Sequence, residues 1–162
     1  VNKRVDVSTD TEFNDIFWME KALEKAKQSF DEDEVPVGAL VIDKRGKLIG
    51  EGWNQVESKN DASLHAEVVA LKEAMQTLKS WRLLGCTLYT TLEPCTMCFG
   101  LICLSRIRRI VWGAPDIRHG ACGSFINLLK EKHPTHSLEW TEGVLADKSA
   151  DLLKEFFRRK RK

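Results

Sequence analysis

A histidine, a glutamate and two cysteines carry the chemistry that can be read directly from this chain. His65-Ala66-Glu67 places a carboxylate two residues after an imidazole. Cys95, twenty-eight residues beyond Glu67, opens the run Cys95-Thr96-Met97-Cys98 behind Pro94. One imidazole and two thiolates make three ligands of the kind zinc prefers. Zinc takes four, so three protein ligands leave a position for water, which is the pattern of a catalytic centre rather than a structural one. Zinc lowers the pKa of such a water from 15.7 to about 7. At roughly 1.36 kcal/mol per unit, that is on the order of 12 kcal/mol towards hydroxide at neutral pH. A carboxylate that shuttles protons adds about 10² to 10⁴ in rate. The residue types therefore assign His65, Cys95 and Cys98 to the metal and Glu67 to the protons of the water.

Each part has a plainer reading when taken alone. A histidine among apolar helix residues is commonly a satisfied core side chain, and a Cys-x-x-Cys can be a redox pair or half of a structural zinc site. Together the parts favour catalysis. A structural site needs a fourth Cys or His at similar spacing, whereas Cys103 lies five residues past Cys98 and Cys86 sits on the approach to a strand. Cys86, Cys103 and Cys122 read as small apolar residues. The combination H-x-E with P-C-x-x-C is the known signature of zinc nucleobase deaminases.

The elements around these residues must bring them together. Ile16, Met19, Leu23, Ala26 and Phe30 recur at spacings of three and four and predict a helix to about residue 30. Its start is marked either by a Thr9–Glu12 capping box or by Asn14 as N-cap. Residues 37–42 predict a buried strand, Asp43-Lys44-Arg45-Gly46 a turn, and 47–53 the hairpin partner, with polar loop over 54–62. Ser63 is a candidate cap for a helix carrying His65 and continuing to Leu78. Residues 88–91 predict a third strand, Leu92-Glu93-Pro94 a turn, and residues from about 95 to 105 a helix. A fourth strand at 107–112, a Gly-containing loop at 113–123, a short helix within 124–131, a strand at 138–141 and a helix from Ala146 complete the order. Strands and helices alternating in this way pack as one mixed sheet with helices on its faces.

Cys95 and Cys98 are three residues apart, so one helical turn brings both sulfurs to one side. Pro94 suits a helix start, and the free N–H groups of a first turn favour thiolates. His65 belongs to another helix start, so a shared metal would pin two helix N-termini together. Glu67 does not share a face with His65 at a spacing of two, which makes it a poor fourth ligand and a good neighbour of the water.

A chain of 162 residues suits one domain. Its apolar runs reach about six residues, against roughly 18 for a membrane span. No basic region followed by an apolar one opens the chain, so no secretory signal is expected. The first residue is Val, so the sequence is expected to begin inside a longer product. Five cysteines without the density of a disulfide scaffold fit a reducing cytoplasm. The net charge of +1 hides an asymmetry. Residues 1–35 carry ten acids and five bases, and residues 36–162 fourteen acids and twenty bases. Much of the basic excess lies in 154–162. Such a tail, with Phe156 and Phe157 in it, could meet a polyanion; a solvated helix end complementing the helix dipole explains the same composition.

With His65-Ala66-Glu67 and Pro94-Cys95-Thr96-Met97-Cys98 established, the chain resembles the bacterial tRNA-specific adenosine deaminases of the cytidine deaminase-like superfamily. The likeness extends over about residues 13–160. It takes in Glu34-Val35-Pro36-Val37-Gly38-Ala39, Gly52-Trp53-Asn54, Thr91-Leu92-Glu93-Pro94-Cys95 and Ser105-Arg106-Ile107. It continues through Gly113-Ala114-Pro115-Asp116, Gly120-Ala121-Cys122-Gly123-Ser124, Glu142-Gly143-Val144-Leu145-Ala146-Asp147 and Phe156-Phe157-Arg158.

The resemblance implies a three-layer α/β/α sandwich around a five-stranded mixed sheet, a homodimer, and one zinc ion per subunit on His65, Cys95 and Cys98. The implied reaction is hydrolytic conversion of adenosine to inosine at the wobble position of a tRNA anticodon loop, with Glu67 as proton shuttle. It further implies that Asn54 contacts the flipped base and that Asp116, Arg118, Phe157, Arg158 and Arg161 meet flanking nucleotides. Asn54 could equally end a strand through nearby backbone, and Phe156 and Phe157 extend an apolar stripe from Leu152 and Leu153. Adjacent helical positions diverge by about 100°, which lets one of that pair face outward. Pro115 stands where relatives often carry a charge. Residues 1–12 match nothing in the family and read as a mobile or appended arm beside a deaminase domain at 13–162. The rival activities are a guanine, cytosine or cytidine deaminase acting on a free base or nucleoside, and a non-catalytic RNA-binding zinc protein.

Overall fold

Alternation along the strands decides which helices cover each face of the sheet. In the computed structural model, which describes residues 1–10 and 14–161, Ala39 and Val41 point to one side of strand β2 (Gly38–Ile42) and Leu40 and Ile42 to the other. The same split recurs in β4 (Thr87–Leu92), with Leu88 opposite Tyr89, and in β5 (Arg109–Ala114), with Ile110 and Trp112 opposite Val111. Side chains that alternate with period two and are apolar on both sides require cover on both faces. Helices α3 (Ala66–Leu78) and α4 (Thr96–Leu104) lie on the first face, and α1 (Asp15–Asp31) and α5 (Ala146–Lys160) on the second. This is the expected three-layer α/β/α sandwich.

The sheet has six strands among the described residues, not five, in the order β1-β6-β5-β4-β2-β3. β2 pairs antiparallel with β3 (Leu48–Trp53) and β4, while β4, β5 and β6 (Glu139–Thr141) run parallel. The added strand is β1, Lys3–Arg4, parallel to β6. The edge of β6 offers unpaired backbone groups, and the amino-terminal residues take them: Lys3 N–H donates to the Leu138 carbonyl at 3.0 Å and Val5 N–H to that of Trp140 at 2.8 Å.

Local chemistry explains the other departures from expectation. Asn14 is the N-cap of α1, its side-chain oxygen accepting from Phe17 N–H at 3.0 Å; the alternative Thr9–Glu12 box includes Glu12, which lies outside the described residues, as does the boundary expected at 12 and 13. The polar loop expected over 54–62 contains a helical turn, α2 (Val56–Lys59), because the buried Glu34 carboxylate accepts from Glu57 N–H at 3.0 Å and Ser58 N–H at 2.7 Å. Ser63 does not cap α3. Its hydroxyl and amide both bind Asp61, and His65 holds the N-cap position. β5 begins at Arg109 rather than 107, since Arg106 turns through φ 67° and Ile107 N–H still bonds back to Ile102. The short helix expected within 124–131 is a 3-10 turn at Leu128–Lys130.

The seat of α3 is what carries His65 to its place. An added Cβ at Gly50 would lie 2.3 Å from the Ala70 carbonyl, and one at Gly52 2.5 Å from the Ala66 carbonyl and 2.7 Å from Ala70 N. Backbone lies against backbone there, with Ala66, Ala70 and Ala74 as the facing residues. Gly52→Ala is expected to force α3 outward and to destabilise the fold by roughly 1–3 kcal/mol, the range for overpacked sites. Urea unfolding of the two proteins measures it, and a difference under a few tenths would contradict this account of the helix seat.

Candidate active site

Two helix starts meet at the ligand set. His65 is the N-cap of α3, with φ −68° and ψ 153°, and Cys95 the N-cap of α4, with φ −79° and ψ 177°. Extended backbone at both caps turns each side chain away from its helix and towards the other. Cys98, one turn into α4 and fully buried, completes the group. His65 Nδ1 lies 3.5 Å from Cys95 Sγ and 3.6 Å from Cys98 Sγ. The donor atoms of these residues all lie within 4.8 Å of one another, and they form the cluster suited to a metal ion among the described residues.

These separations fit zinc. Bonds of about 2.3 Å to sulfur and 2.0–2.1 Å to nitrogen, opened to the tetrahedral angle, set sulfur and nitrogen about 3.5–3.6 Å apart. The electrostatics agree. Hydrogen bonding from Cys98 holds the Cys95 thiol down at about 4, while that same contact and burial push Cys98 up. A divalent cation between them removes the conflict by ionising both thiols. The hydrogen bond with Cys95 raises the His65 imidazole.

Glu67, in the first turn of α3, is 3% exposed, and burial pushes its carboxyl up to about 7. Its Oε1 is buried with no hydrogen-bond partner among the described residues. A buried carboxylate oxygen without a donor is costly. A water held by zinc beside it would supply the missing donor, and that is a second observation in favour of the metal.

A cavity of about 970 Å³ opens onto His65, Glu67 and Cys95. Of the residues expected at the substrate, Asn54, Asp116, Arg118, Phe157 and Arg161 all line it. Arg158 does not; it is exposed and paired with Glu155 at 2.6 Å. Asn54 ends β3 with its backbone, donating to the Val37 carbonyl at 3.2 Å and the Ser29 hydroxyl at 3.0 Å, which leaves its side chain to the cavity. Phe156 and Phe157 divide as adjacent helical residues must. Phe156 is buried edge-on against Phe30 with ring centres 5.8 Å apart, and Phe157 stands 44% exposed at the cavity. Asp116 Oδ1 accepts from Arg118 N–H at 3.3 Å and His119 N–H at 3.2 Å, shaping the loop that presents Arg118.

The sequence alone places Glu93 in the turn before Pro94 and gives it no role at the site. It is a buried cavity residue whose carboxylate gathers the loop over 116–124. A carboxylate between a strand end and Pro94, two residues before Cys95, is the available signal. Lys154 and Lys160, part of the basic tail in the sequence, also line the cavity.

Comparison with known proteins follows the same lines. Residues 13–114 match the family described as the cytidine and deoxycytidylate deaminase zinc-binding region. A tRNA-specific adenosine deaminase of Haemophilus influenzae is 44% identical over 143 residues, covering 88% of this chain and 83% of the relative. That of Bacillus subtilis is 40% identical over 148 residues, covering 91% of each. A solved structure from a study of A-to-I editing by tRNA deaminases at the wobble position superimposes with a TM-score of 0.80 at 36% identity, covering 85% of this chain and 99% of the other. A guanine deaminase from Nitrosomonas europaea gives 0.72 at 26% identity, covering 93% and 86%.

Loss of a ligand should empty the site selectively. Cys98→Ala is expected to reduce zinc content, measured by atomic emission, by more than about tenfold, as for removal of a direct ligand. Cys103→Ala, outside the cluster, should retain it. Equal zinc in both variants would contradict the ligand assignment.

Proposed function

Since the chain belongs to the cytidine and deoxycytidylate deaminase zinc-binding family, and within it to the tRNA-specific adenosine deaminases, we propose that it converts adenosine to inosine at the wobble position of a tRNA anticodon loop by zinc-dependent hydrolysis. One observation carries the reading: His65 and Cys95 of the metal cluster, with Glu67 and its unpartnered Oε1, face a cavity that the basic end of α5 also lines. A free base needs no such wall. A nucleotide within RNA brings phosphates with it, and Arg118, Lys154, Arg161 and Lys160, the last ion-paired with Asp33 at 2.7 Å, line the cavity. The guanine deaminase likeness is lower in identity, 26% against 44%, and shares the fold, which leaves the tRNA reading favoured.

The chemistry follows from the positions of the side chains. Zinc held by His65, Cys95 and Cys98 supplies Lewis acidity that makes hydroxide accessible near neutral pH. Glu67 receives the proton of the attacking water and passes it to the adjacent ring nitrogen. The water oxygen bonds to the amino-bearing ring carbon, the carbon–nitrogen bond then breaks, and Glu67 delivers the second proton to the departing amine. Adenosine and water thus become inosine and ammonia. A stacked base does not reach Glu67, so the nucleotide is splayed out of the loop. The Asn54 amide, with donor and acceptor both available, suits a purine edge. Among the described residues that amide has no protein partner competing for it. Phe157 offers a flanking base a ring face, and Asp116, Arg118 and Arg161 meet neighbouring nucleotides. Arg158 acts further out, on the RNA backbone.

Residues 13–162 work as the single deaminase domain and residues 1–12 as an arm whose Lys3–Arg4 adds a strand to its sheet. The protein acts in the cytoplasm as a homodimer. Its five cysteines are all free, and no helix among the described residues is long and apolar enough to cross a membrane. Met97 and Leu104, seven residues apart on one face of α4, are 40% and 60% exposed, as a subunit contact requires.

Glu67→Ala is expected to abolish inosine formation in an anticodon stem-loop, by at least about 10² in kcat, the lower range for a general acid–base group. Zinc content and RNA affinity should persist. Activity surviving that change would refute the shuttle role, and turnover of guanine with no reaction in the RNA would refute the substrate. Separately, RNA affinity should fall with salt along a log–log slope of about −2 to −3 if three or four phosphates are met; a flat response would show that the basic helix end does not touch RNA.

A further inference from the structure

Glu93 holds more donors than any other carboxylate near the cavity. Its Oε1 accepts from Asp116 N–H at 3.2 Å and from the Ser124 hydroxyl, and its Oε2 accepts from Cys122 N–H at 2.9 Å and Ser124 N–H at 3.2 Å. The carboxylate is 3% exposed and sits where a backbone loop closes around an anion. Gly120 makes the closure possible: a Cβ there would come within 2.3 Å of the Glu93 carboxyl carbon. The same stretch is tied to the metal-ligand turn, since Ala121 N–H donates to the Pro94 carbonyl at 2.8 Å and Cys95 bridges to Gly120.

Glu93 thus joins two structures with different tasks. On one side is the turn carrying Cys95. On the other is a loop that presents Asp116, Arg118 and Phe125 to the cavity. We propose that Glu93 is a positioning residue for RNA recognition, its buried carboxylate holding the loop over 115–125 as a fixed cavity wall at a set distance from the zinc ligands. The inference rests on the tRNA deaminase reading above. A loop held this way loses little freedom when RNA arrives, whereas a loosened one must be ordered by the binding event itself. Glu93 touches neither the metal nor the base in this role; it acts through Asp116 and Arg118.

Substitution by glutamine is selective because the amide keeps one acceptor oxygen and turns the other into a donor. Its NH2 group is best placed against the Ser124 hydroxyl, which can reverse its own role and accept. The Asp116 N–H is then left without its acceptor. With the zinc-loaded full chain and a stem-loop RNA bearing a wobble adenosine, Glu93→Gln is expected to raise KM about tenfold, the effect of leaving one or two side chains to be ordered on binding. kcat at saturating RNA should fall by less than about threefold, the signature of lost uniform binding.

Zinc content should match that of the parent protein, and amide hydrogen exchange at Asp116 should quicken. Ser124→Ala, a milder change that removes only a hydroxyl, should move KM in the same direction by about twofold and serves where Glu93→Gln does not fold. An unchanged KM overturns the proposal, and so does loss of zinc with a fall confined to kcat, because Glu93 would then serve the ligand turn. If the parent chain leaves the stem-loop adenosine intact, the functional reading fails. The exchange rate at Asp116 still decides whether Glu93 holds the loop, and unaltered exchange sinks the proposal.

Discussion

For His65 to approach Cys95 and Cys98, α3 and α4 must begin at the same end of the sheet, and the backbone contact of α3 with β3 sets where the first of those starts lies. Gly50 and Gly52 remove the side chains that would hold the helix off, and Ala66, Ala70 and Ala74 present methyl groups to the strand. α4 follows directly from β4, so its start is fixed by a strand in the middle of the sheet. Both ligand-bearing caps have extended backbone and make no side-chain capping bond. Their side chains are thereby available to a metal, and the N–H groups of two first turns favour the thiolates it needs. A metal at this point ties the two helices on one face to each other and to the sheet.

Two buried carboxylates line the same cavity and are treated in opposite ways by their surroundings. Glu67 has an oxygen with no donor among the described residues, and burial lifts its carboxyl towards neutrality. Glu93 has four donors directed at it. Pairs of carboxyl groups placed in contrasting environments take different roles. The first is free to exchange protons with a reacting water, and the second is occupied in holding a loop. A third, Asp15, lies beyond the site at the start of α1, where Arg109 at 2.7 Å and the Tyr89 hydroxyl at 2.8 Å satisfy it in the core. That network also reaches the amino-terminal residues through Ser8 N–H and the Asp6 carbonyl.

The chemistry was legible in the chain because metal ligation depends on residue type and short spacing. His65, Glu67, Cys95 and Cys98 fall together as expected, and the strands emerge from period-two and continuous apolar runs. What escaped reading depends on partners distant in sequence. Ser63 looked like a cap because nothing local reveals that Asp61 occupies it. The turn at 56–59 forms on a carboxylate more than twenty residues upstream, and β1 exists only because the edge of β6 accepts it. Phe156 and Phe157 were separable in principle by helical geometry, but only the packing of Phe30 says which one is buried. Glu93 passed as a turn residue for the same reason: its four donors come from a loop whose path no local pattern predicts. Arg158 shows the converse, a position carried by resemblance that the fold keeps outside the cavity.

X-ray absorption at the zinc edge of the purified protein directly tests an open zinc site of one imidazole and two thiolates with a water in the fourth position. Two sulfur neighbours at about 2.3 Å and two nitrogen or oxygen neighbours at about 2.0–2.1 Å are expected. Three or four sulfur neighbours would mean that another cysteine closes the site, and the hydrolytic role of Glu67 would fall with it.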